Sequence, residues 1–159
     1  MTLQIRSARI EDKDNILSVI KSHRFKWDKP IAKKYYDDFF QSKSAFSKRD
    51  KVYVCVAGKE VIGVIGYCVD YYETNNYWLG WFYIHREYER KGYGKKLLDY
   101  IIKKLQVKHV RKLFVNTSSN KFYRRALKMY FKYGFKKEAV ILDYYGEGED
   151  QIVLSKKIV

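Results

Sequence analysis

The chain has 159 residues, and its 33 Lys+Arg against 18 Asp+Glu leave a formal net charge of +15. A length near 150 allows one domain with a real core, and 47% hydrophobic content with 16 Tyr, 9 Phe and 3 Trp excludes a disordered basic tail. The longest stretch without a formal charge, Thr74 to His85, has 12 residues, short of the ~20 needed to span a bilayer.

In chain order, the N-terminus MTLQIRSARIED lacks an apolar signal core, so a cytoplasmic protein is expected. Leu3–Arg9 alternates apolar and polar side chains and predicts a strand. Glu11–Ser22 carries Ile16, Val19 and Ile20 at helical spacing behind acidic residues that suit the helix dipole. Pro30 opens a second helical segment to about Gln41, with a face of Tyr35, Tyr36, Phe39 and Phe40.

Residues 52–56 are β-branched and alternating, Gly58-Lys59 makes a turn, and Val61–Tyr71 returns as a long strand. A further strand is expected at Tyr77–Ile84. Gly92–Gln106 is the clearest helix, with Leu97, Leu98, Ile101, Ile102 and Leu105 on one face and Lys95, Lys96, Asp99, Lys103 and Lys104 on the other. Leu113–Val115 predicts a short strand. Phe122, Ala126, Met129, Tyr130 and Tyr133 mark a last helix, ended by Gly134 as a left-handed cap. Phe135–Leu142 and Gln151–Lys156 close the chain as strands around an acidic turn. The order β-α-α-β-β-β-α-β-α-β-β predicts an α/β fold, with about seven strands in one mixed sheet flanked by four helices.

Cys55 and Cys68 do not suggest a disulfide. A turn at Gly58-Lys59 would set Cys55 opposite about Ile62, leaving Cys68 roughly 20 Å away at ~3.3 Å per residue, beyond the ~7 Å that a disulfide tolerates. Two buried thiols in a reducing compartment are expected. No His/Cys cluster suggests a metal site.

The charge is unevenly spread. Residues 1–85 carry 14 basic and 10 acidic side chains, residues 86–137 carry 17 and 3, and residues 138–159 carry 2 and 5. Such a basic segment suggests a polyanionic ligand, nucleic acid or another acidic partner. It also contains the best amphipathic helices, so it is not a tail. Within it, Gly92 and Gly94 stand between a strand and a basic helix. Backbone N–H groups at a helix N-terminus are unpaired and favour phosphate, and glycine lets the main chain approach closely. The segment is no Walker A loop, since GxxxxGK[ST] is absent, and no Rossmann fingerprint, since Leu97 stands where the third glycine would be.

Two motifs resemble the GCN5-related N-acetyltransferase (GNAT) superfamily. Its Q/R-x-x-G-x-G/A loop aligns with Glu89-Arg90-Lys91-Gly92-Tyr93-Gly94, and its A-x-x-x-Y-x-x-x-G-F signature aligns with Ala126 to Phe135, placing the tyrosine at Tyr130. Both lie within residues 77–135, and the flanking elements fit nearly the whole chain, implying a single GNAT-like acetyltransferase domain over residues 1–159. Glu89 departs from the usual Arg or Gln, and Tyr123 from a frequent Asn, with Asn120 out of register. The stretches Thr117–Ser119 and Asp143–Asp150 look like those of one GNAT subgroup.

The resemblance implies an N-acetyltransferase that moves acetyl from acetyl-CoA to a primary amine of a small molecule or peptide. The backbone of Phe82, Tyr83 and Ile84 would pair with pantetheine, and an amide there would polarise the thioester carbonyl. The amides of Glu89, Arg90, Lys91, Gly92, Tyr93 and Gly94 would cradle the pyrophosphate, with Lys95 meeting phosphate. The splayed strands would be Tyr77–Ile84 and Leu113–Thr117. Tyr130 would be the general acid toward the leaving thiolate. The base stays open among Glu73, Asp143, His23 and water. The acidic turn at Gly146–Asp150 would attract a cationic amine, or simply be solvated. Tyr144, Tyr145, Trp78 and Trp81 would line an acceptor pocket or pack in the core. No metal and no membrane partner is implied, and a homodimer stays open. Two other readings remain, a CoA-binding sensor without catalysis and a nucleic-acid-binding module.

Overall fold

The computed structural model describes residues 3–23, 28–41 and 49–159. Among these, seven strands and four α-helices follow the expected order. They are β1 (Leu3–Ser7), α1 (Lys13–Lys21), α2 (Asp28–Gln41), β2 (Lys51–Ala57), β3 (Glu60–Val69), β4 (Asn76–Ile84), α3 (Tyr93–Val107), β5 (Lys112–Ser118), α4 (Arg124–Lys132), β6 (Lys136–Gly146) and β7 (Glu149–Lys157). The strands form one mixed, mostly antiparallel sheet in the order β1-β2-β3-β4-β5-β7-β6. The last strand in the chain thus lies between β5 and β6.

Two compact units divide the chain. The first takes Met1–Val69 and Gly80–Lys104. In it β1 pairs antiparallel with β2, and β2 with β3. The near-continuous apolar run of β2 reflects burial on both faces. Val52, Val54 and Val56 join Ile16, Val19, Ile20, Ala32 and Tyr36 of the first two helices in one core cluster. The alternate residue Tyr53 stacks edge-on against Tyr100 of α3 at 5.3 Å. Leu97, Leu98, Ile101 and Leu105, spaced along one side of α3, are fully buried, as the 3.6-residue period demands.

The β2–β3 register corrects one expectation. Cys55 stands opposite Gly63, not Ile62, because a bulge between Cys55 and Val56 inserts one residue. Cys68 then lies five residues farther along β3, and neither cysteine forms a disulfide. Only Cys55 is fully buried, and that burial pushes its thiol up to about 11. Cys68 is half-buried.

The second unit takes Asp70–Leu79 and Leu105–Val159. The start of β4 pairs in parallel with β5 at Asn76↔Lys112, Tyr77↔Leu113 and Trp78↔Phe114. Trp78 stacks on Phe114 with ring centroids 5.1 Å apart. Strand β5 pairs antiparallel with β7 from Lys112↔Lys157 to Ser118↔Gln151, more than twice the length expected at Leu113–Val115. Strand β6 runs past the expected end at Leu142 to Gly146, where Gly146 pairs with Glu149 across a tight turn. Asp143 makes this extension workable: it adopts a left-handed φ of 53°, and its carboxylate accepts the Gly148 amide at 2.7 Å.

Candidate active site

In the first unit, β4 does not run straight into its end. Trp81 sits at φ 46° within the strand, a left-handed conformation that costs a non-glycine residue about 1–2 kcal/mol. Trp81 and Tyr83 pack against the α1–α2 core cluster. Phe82 and Ile84 instead lie close to the start of α3, where a Cβ on Gly94 would meet the Ile84 Cγ1 at 3.6 Å and the Phe82 ring at 3.7 Å.

A short 3-10 turn at Arg86–Tyr88 carries the chain from β4 to the loop. The Tyr88 hydroxyl donates to Glu60 at 2.6 Å, and Lys91 lies over the Tyr88 ring at 5.0 Å. Glu89 is extended, Arg90 is left-handed at φ 62° and Gly92 at φ 83°. The two reversals bring the main chain round into α3 within four residues. The Lys96 amide donates to the Gly92 carbonyl at 3.1 Å as the first turn closes, so the amides of Tyr93 and Gly94 have no helical carbonyl to bond. Arg90, Lys91, Gly92 and Lys95 are exposed around this helix end. Local amides, the dipole and three cations therefore make positive potential at one place, suited to an anion.

Glu89 is the one acid at this loop. Its Oε1 lies 3.7 Å from Nδ1 of His23, just past the end of α1, and His23 Nε2 lies 2.7 Å from the Ile84 carbonyl oxygen. The Arg86 amide donates to the Ser22 hydroxyl at 3.1 Å. Tyr83 donates its hydroxyl to Asp28 at the start of α2, and its ring lies 5.3 Å from that of His23. The sequence put Phe82, Tyr83, Ile84 and Glu89–Lys95 in one site, and the first unit holds all ten on consecutive elements. The Ile84 carbonyl, however, is engaged by His23.

The second unit holds Tyr130. It is buried on α4, its ring 5.4 Å from that of Phe135, and the Phe135 amide donates to its carbonyl at 3.0 Å. Burial pushes its hydroxyl well above the ordinary tyrosine range, so the phenol stays protonated at neutral pH. Glu73 occupies a turn at φ 54°, its amide bonded to Asp70. Asp143 locks the β6–β7 connection, accepting from Gly148 and facing Asp150 through its own amide at 3.0 Å.

The Thr117–Ser119 stretch and the acidic turn bond to each other. Ser118 Oγ donates to Glu149 at 2.6 Å, and Asn120 Nδ2 donates to the same carboxylate at 3.3 Å. The Asp150 amide donates to Ser119 Oγ at 2.8 Å. Glu149 is therefore engaged by its own chain, while residues 146–148 of the turn are exposed. Asn120 also caps the 3-10 turn before α4, accepting from the Phe122 amide at 3.1 Å. Tyr144 and Tyr145 are exposed, their rings 4.9 Å apart.

Sequence reasoning offered Trp81 for the acceptor pocket or the core, and it packs against the core cluster; its left-handed φ, Ser22 and the His23 contacts were missed. Trp81 carries no glycine or proline to signal its left-handed φ. Gly63 did carry a signal, since glycine inside an apolar strand marks a close approach. Among the described residues, no group of three or more His, Cys, Asp or Glu is placed to hold a metal ion, and no helix is long and apolar enough to cross a membrane.

Comparison with known proteins gives the following. The family model described as the Acetyltransferase (GNAT) family matches residues 16–135. No curated protein matches. A crystal structure from Desulfovibrio desulfuricans, of a protein described as belonging to the GNAT family, superposes with a TM-score of 0.90 at 20% identity, covering 99% of this chain and 100% of that one. The ribosomal-protein-S18-alanine N-acetyltransferase of Escherichia coli gives 0.79 at 19% identity, covering 99% and 94%. An aminoglycoside 6'-N-acetyltransferase complexed with coenzyme A gives 0.76 at 14% identity, covering 100% and 98%. Identities this low establish the fold that these proteins share with the chain.

Proposed function

The chain belongs to the GNAT family of acetyltransferases, and from that premise we propose that residues 1–159 act as one N-acetyltransferase domain. Acetyl-CoA supplies an acetyl group already activated as a thioester. The acceptor is a primary amine of a small molecule or peptide. What carries this proposal is the end of β4 turning through Arg90 and Gly92 into the N-terminus of α3. A left-handed glycine with nothing within 4 Å of a built Cβ leaves the main chain open to a bulky anion.

The residues fit such a group. The amides of residues 89–94 face the pyrophosphate, Lys95 adds charge, and the main chain of Phe82 and Tyr83 pairs with the pantetheine arm. Tyr130, kept neutral by burial, is the proton donor at the sulfur side. A phenol that is protonated at neutral pH has a hydrogen to offer to developing negative charge and is unsuited to acting as a base.

Two measurements test this. Acetyl-CoA at ~100 times its dissociation constant stabilises a protein by about 2.7 kcal/mol, so the melting temperature rises by roughly 5–10 °C for a chain of this size. Turnover is then followed as free thiol released across a panel of primary amines. Tyr130→Phe lowers kcat by about 100-fold or more while KM for acetyl-CoA stays put. Absence of a thermal shift sinks the cofactor assignment, and unchanged kcat in the mutant sinks the role of Tyr130.

A further inference from the structure

Among the described residues, β6 is the last strand of the sheet, with β7 as its one neighbour. Its outer edge presents main-chain N–H and C=O groups to any strand that can reach them. Edge strands are commonly kept from pairing by being short, charged or interrupted by proline. Strand β1, at the other end of the sheet order, has five residues and carries Arg6. Strand β6 has eleven, all of them exposed, with no charge and no proline from Ala139 to Leu142. Val140, Ile141 and Leu142 are 41%, 44% and 73% exposed, and Tyr144 and Tyr145 follow at 56% and 42%. Glu138, just before this run, does not guard it. Its carboxylate is turned back onto its own sheet, where it accepts from Lys112 of β5 and Ser155 of β7. A bulge at Glu138 and the left-handed Asp143, at φ 53°, close the apolar run at both ends.

Charge says what fits this edge. A chain at +15 repels a second copy of itself wherever its cations meet, but β6 is neutral, with Lys136 and Lys137 against Glu138 and Asp143. The signs are also ordered. With Glu138 bonded to its own sheet, the strand reads as two lysines, four apolar residues, then Asp143 and two tyrosines. Two such strands set antiparallel lay the apolar residues on each other and put each lysine end beside the other's Asp143, Tyr144 and Tyr145. A parallel pairing would set lysine against lysine. Lysine over tyrosine is a contact that this chain makes elsewhere, at Lys91 on Tyr88 and Lys104 on Tyr100. The strand is thus complementary to itself, and it has no net charge with which to select a foreign acidic or basic chain. We propose that β6 forms a two-fold homodimer, in which residues 139–142 of two copies pair antiparallel and continue the sheet from one chain into the next. Such an interface is isologous, so each substitution in it counts twice.

Sedimentation velocity on the full chain, from micromolar to near-millimolar protein, tests this. The wild type moves from 19.2 kDa toward twice that mass as its concentration rises. Leu142→Lys brings two like charges into the pairing run and raises the dissociation constant roughly tenfold or more. Leu142 is the most exposed of the run, so the variant melts close to wild type. Lys136→Glu combined with Lys137→Glu sets acid beside acid and weakens the dimer at low salt, and much less at high salt. Ile31→Lys, at an exposed apolar residue of α2, leaves association unchanged. A wild type that stays monomeric throughout overturns the proposal. So does a dimer that Leu142→Lys and the double reversal leave intact, or one that Ile31→Lys weakens as much as they do. None of these measurements involves acetyl-CoA, so the failure of this proposal leaves the acetyltransferase reading standing.

Discussion

Gly63→Ala tests how tightly β3 is pressed against the proposed cofactor end of the sheet. An added Cβ would lie 2.6 Å from Ile84 Cδ1, 3.1 Å from Leu97 Cδ1 and 3.2 Å from the Tyr83 carbonyl oxygen. Carbon atoms are comfortable at about 3.5–4.0 Å, so the Ile84 methyl must move by about 1 Å. Turning that side chain away from its rotamer costs about 0.5–1.5 kcal/mol. Leu97 is fully buried, and the Tyr83 oxygen is main chain, so neither yields easily. Replacing a strand glycine returns roughly 0.5–1 kcal/mol of backbone entropy, which offsets part of the strain. The net is a loss of about 1–3 kcal/mol, as for other overpacked cores. That corresponds to a melting temperature lower by roughly 2–12 °C.

The control is built into the geometry. Ile84→Val deletes the methyl at 2.6 Å and alone costs about 0.5–1.5 kcal/mol. Combined with Gly63→Ala, it removes the worst contact, so the double variant is more stable than the sum of the two predicts, by about 1 kcal/mol. Urea melts of the four proteins followed by circular dichroism measure the cycle. Distant, independent sites add within about 0.3–0.5 kcal/mol. Additivity within that limit, or a Gly63→Ala protein that melts with wild type, would show that β3 and β4 have slack at this point and refute the reasoning.

The two loop glycines are predicted to behave differently. Gly92→Ala must hold φ 83° and loses about 1–2 kcal/mol, whereas Gly94→Ala meets only contacts of 3.6 Å or more and melts at or above wild type; equal losses in thermal scans would contradict this. Acid sensitivity follows from Asp12, which accepts Arg6 Nη1 and Nη2 at 2.6 and 2.9 Å and the Arg9 amide at 2.8 Å. The Arg6 hydrogen bonds hold the Asp12 carboxyl below its ordinary value of 3.8. Its contribution is fully present above pH 3.8 and is lost as pH falls through the lower folded-state value. Asp12→Asn therefore loses about 1–3 kcal/mol at pH 7, and the gap to wild type narrows as pH drops below about 4 in urea titrations; a gap independent of pH would count against the pair.

The sequence made some of this legible for physical reasons that particular residues show. Leu97, Leu98, Ile101 and Leu105 repeat at the helical period, so α3 and its buried side could be read directly. Gly134 is legible as a left-handed cap and has φ 80°, while Gly92, expected as the first residue of the helix, stands just before it at φ 83°. Strand order was not legible, since nothing local in Gln151–Lys156 says that it inserts between β5 and β6. The bulge at Cys55/Val56 shifted the register by one residue without changing the apolar pattern on either side. Trp81 is harder still, because a tryptophan at φ 46° is held there by its surroundings and not by its own preference. The His23–Ile84 and His23–Glu89 contacts depend on the end of α1 meeting the end of β4, a long-range fact that the residue types do not encode. The acidic turn is solvated at residues 146–148, as its charge suggests, while Glu149 and Asp150 also bond Ser118, Ser119 and Asn120, contacts that the residue types do not announce.

The +15 charge also acquires a structural meaning. The cation–π contacts among the described residues draw on Lys91, Lys96, Lys104, Lys108, Lys112 and Lys121, all within the basic segment 86–137. Lys104 lies over two rings, 5.3 Å from Tyr53 and 5.1 Å from Tyr100. Such contacts are worth about 0.5–1 kcal/mol at exposed sites, and the lysine stems cover apolar surface while the ammonium stays in water. A composition rich in both lysine and tyrosine thus needs no matching number of acids to place its cations. For α3 this divides the labour along one helix. Its first turn, with Gly94 and Lys95 just after Gly92, is where the anion proposed above would sit. Lys104, nine residues after Lys95, has the Tyr53 and Tyr100 rings beneath it and belongs to the packing of the helix on β2.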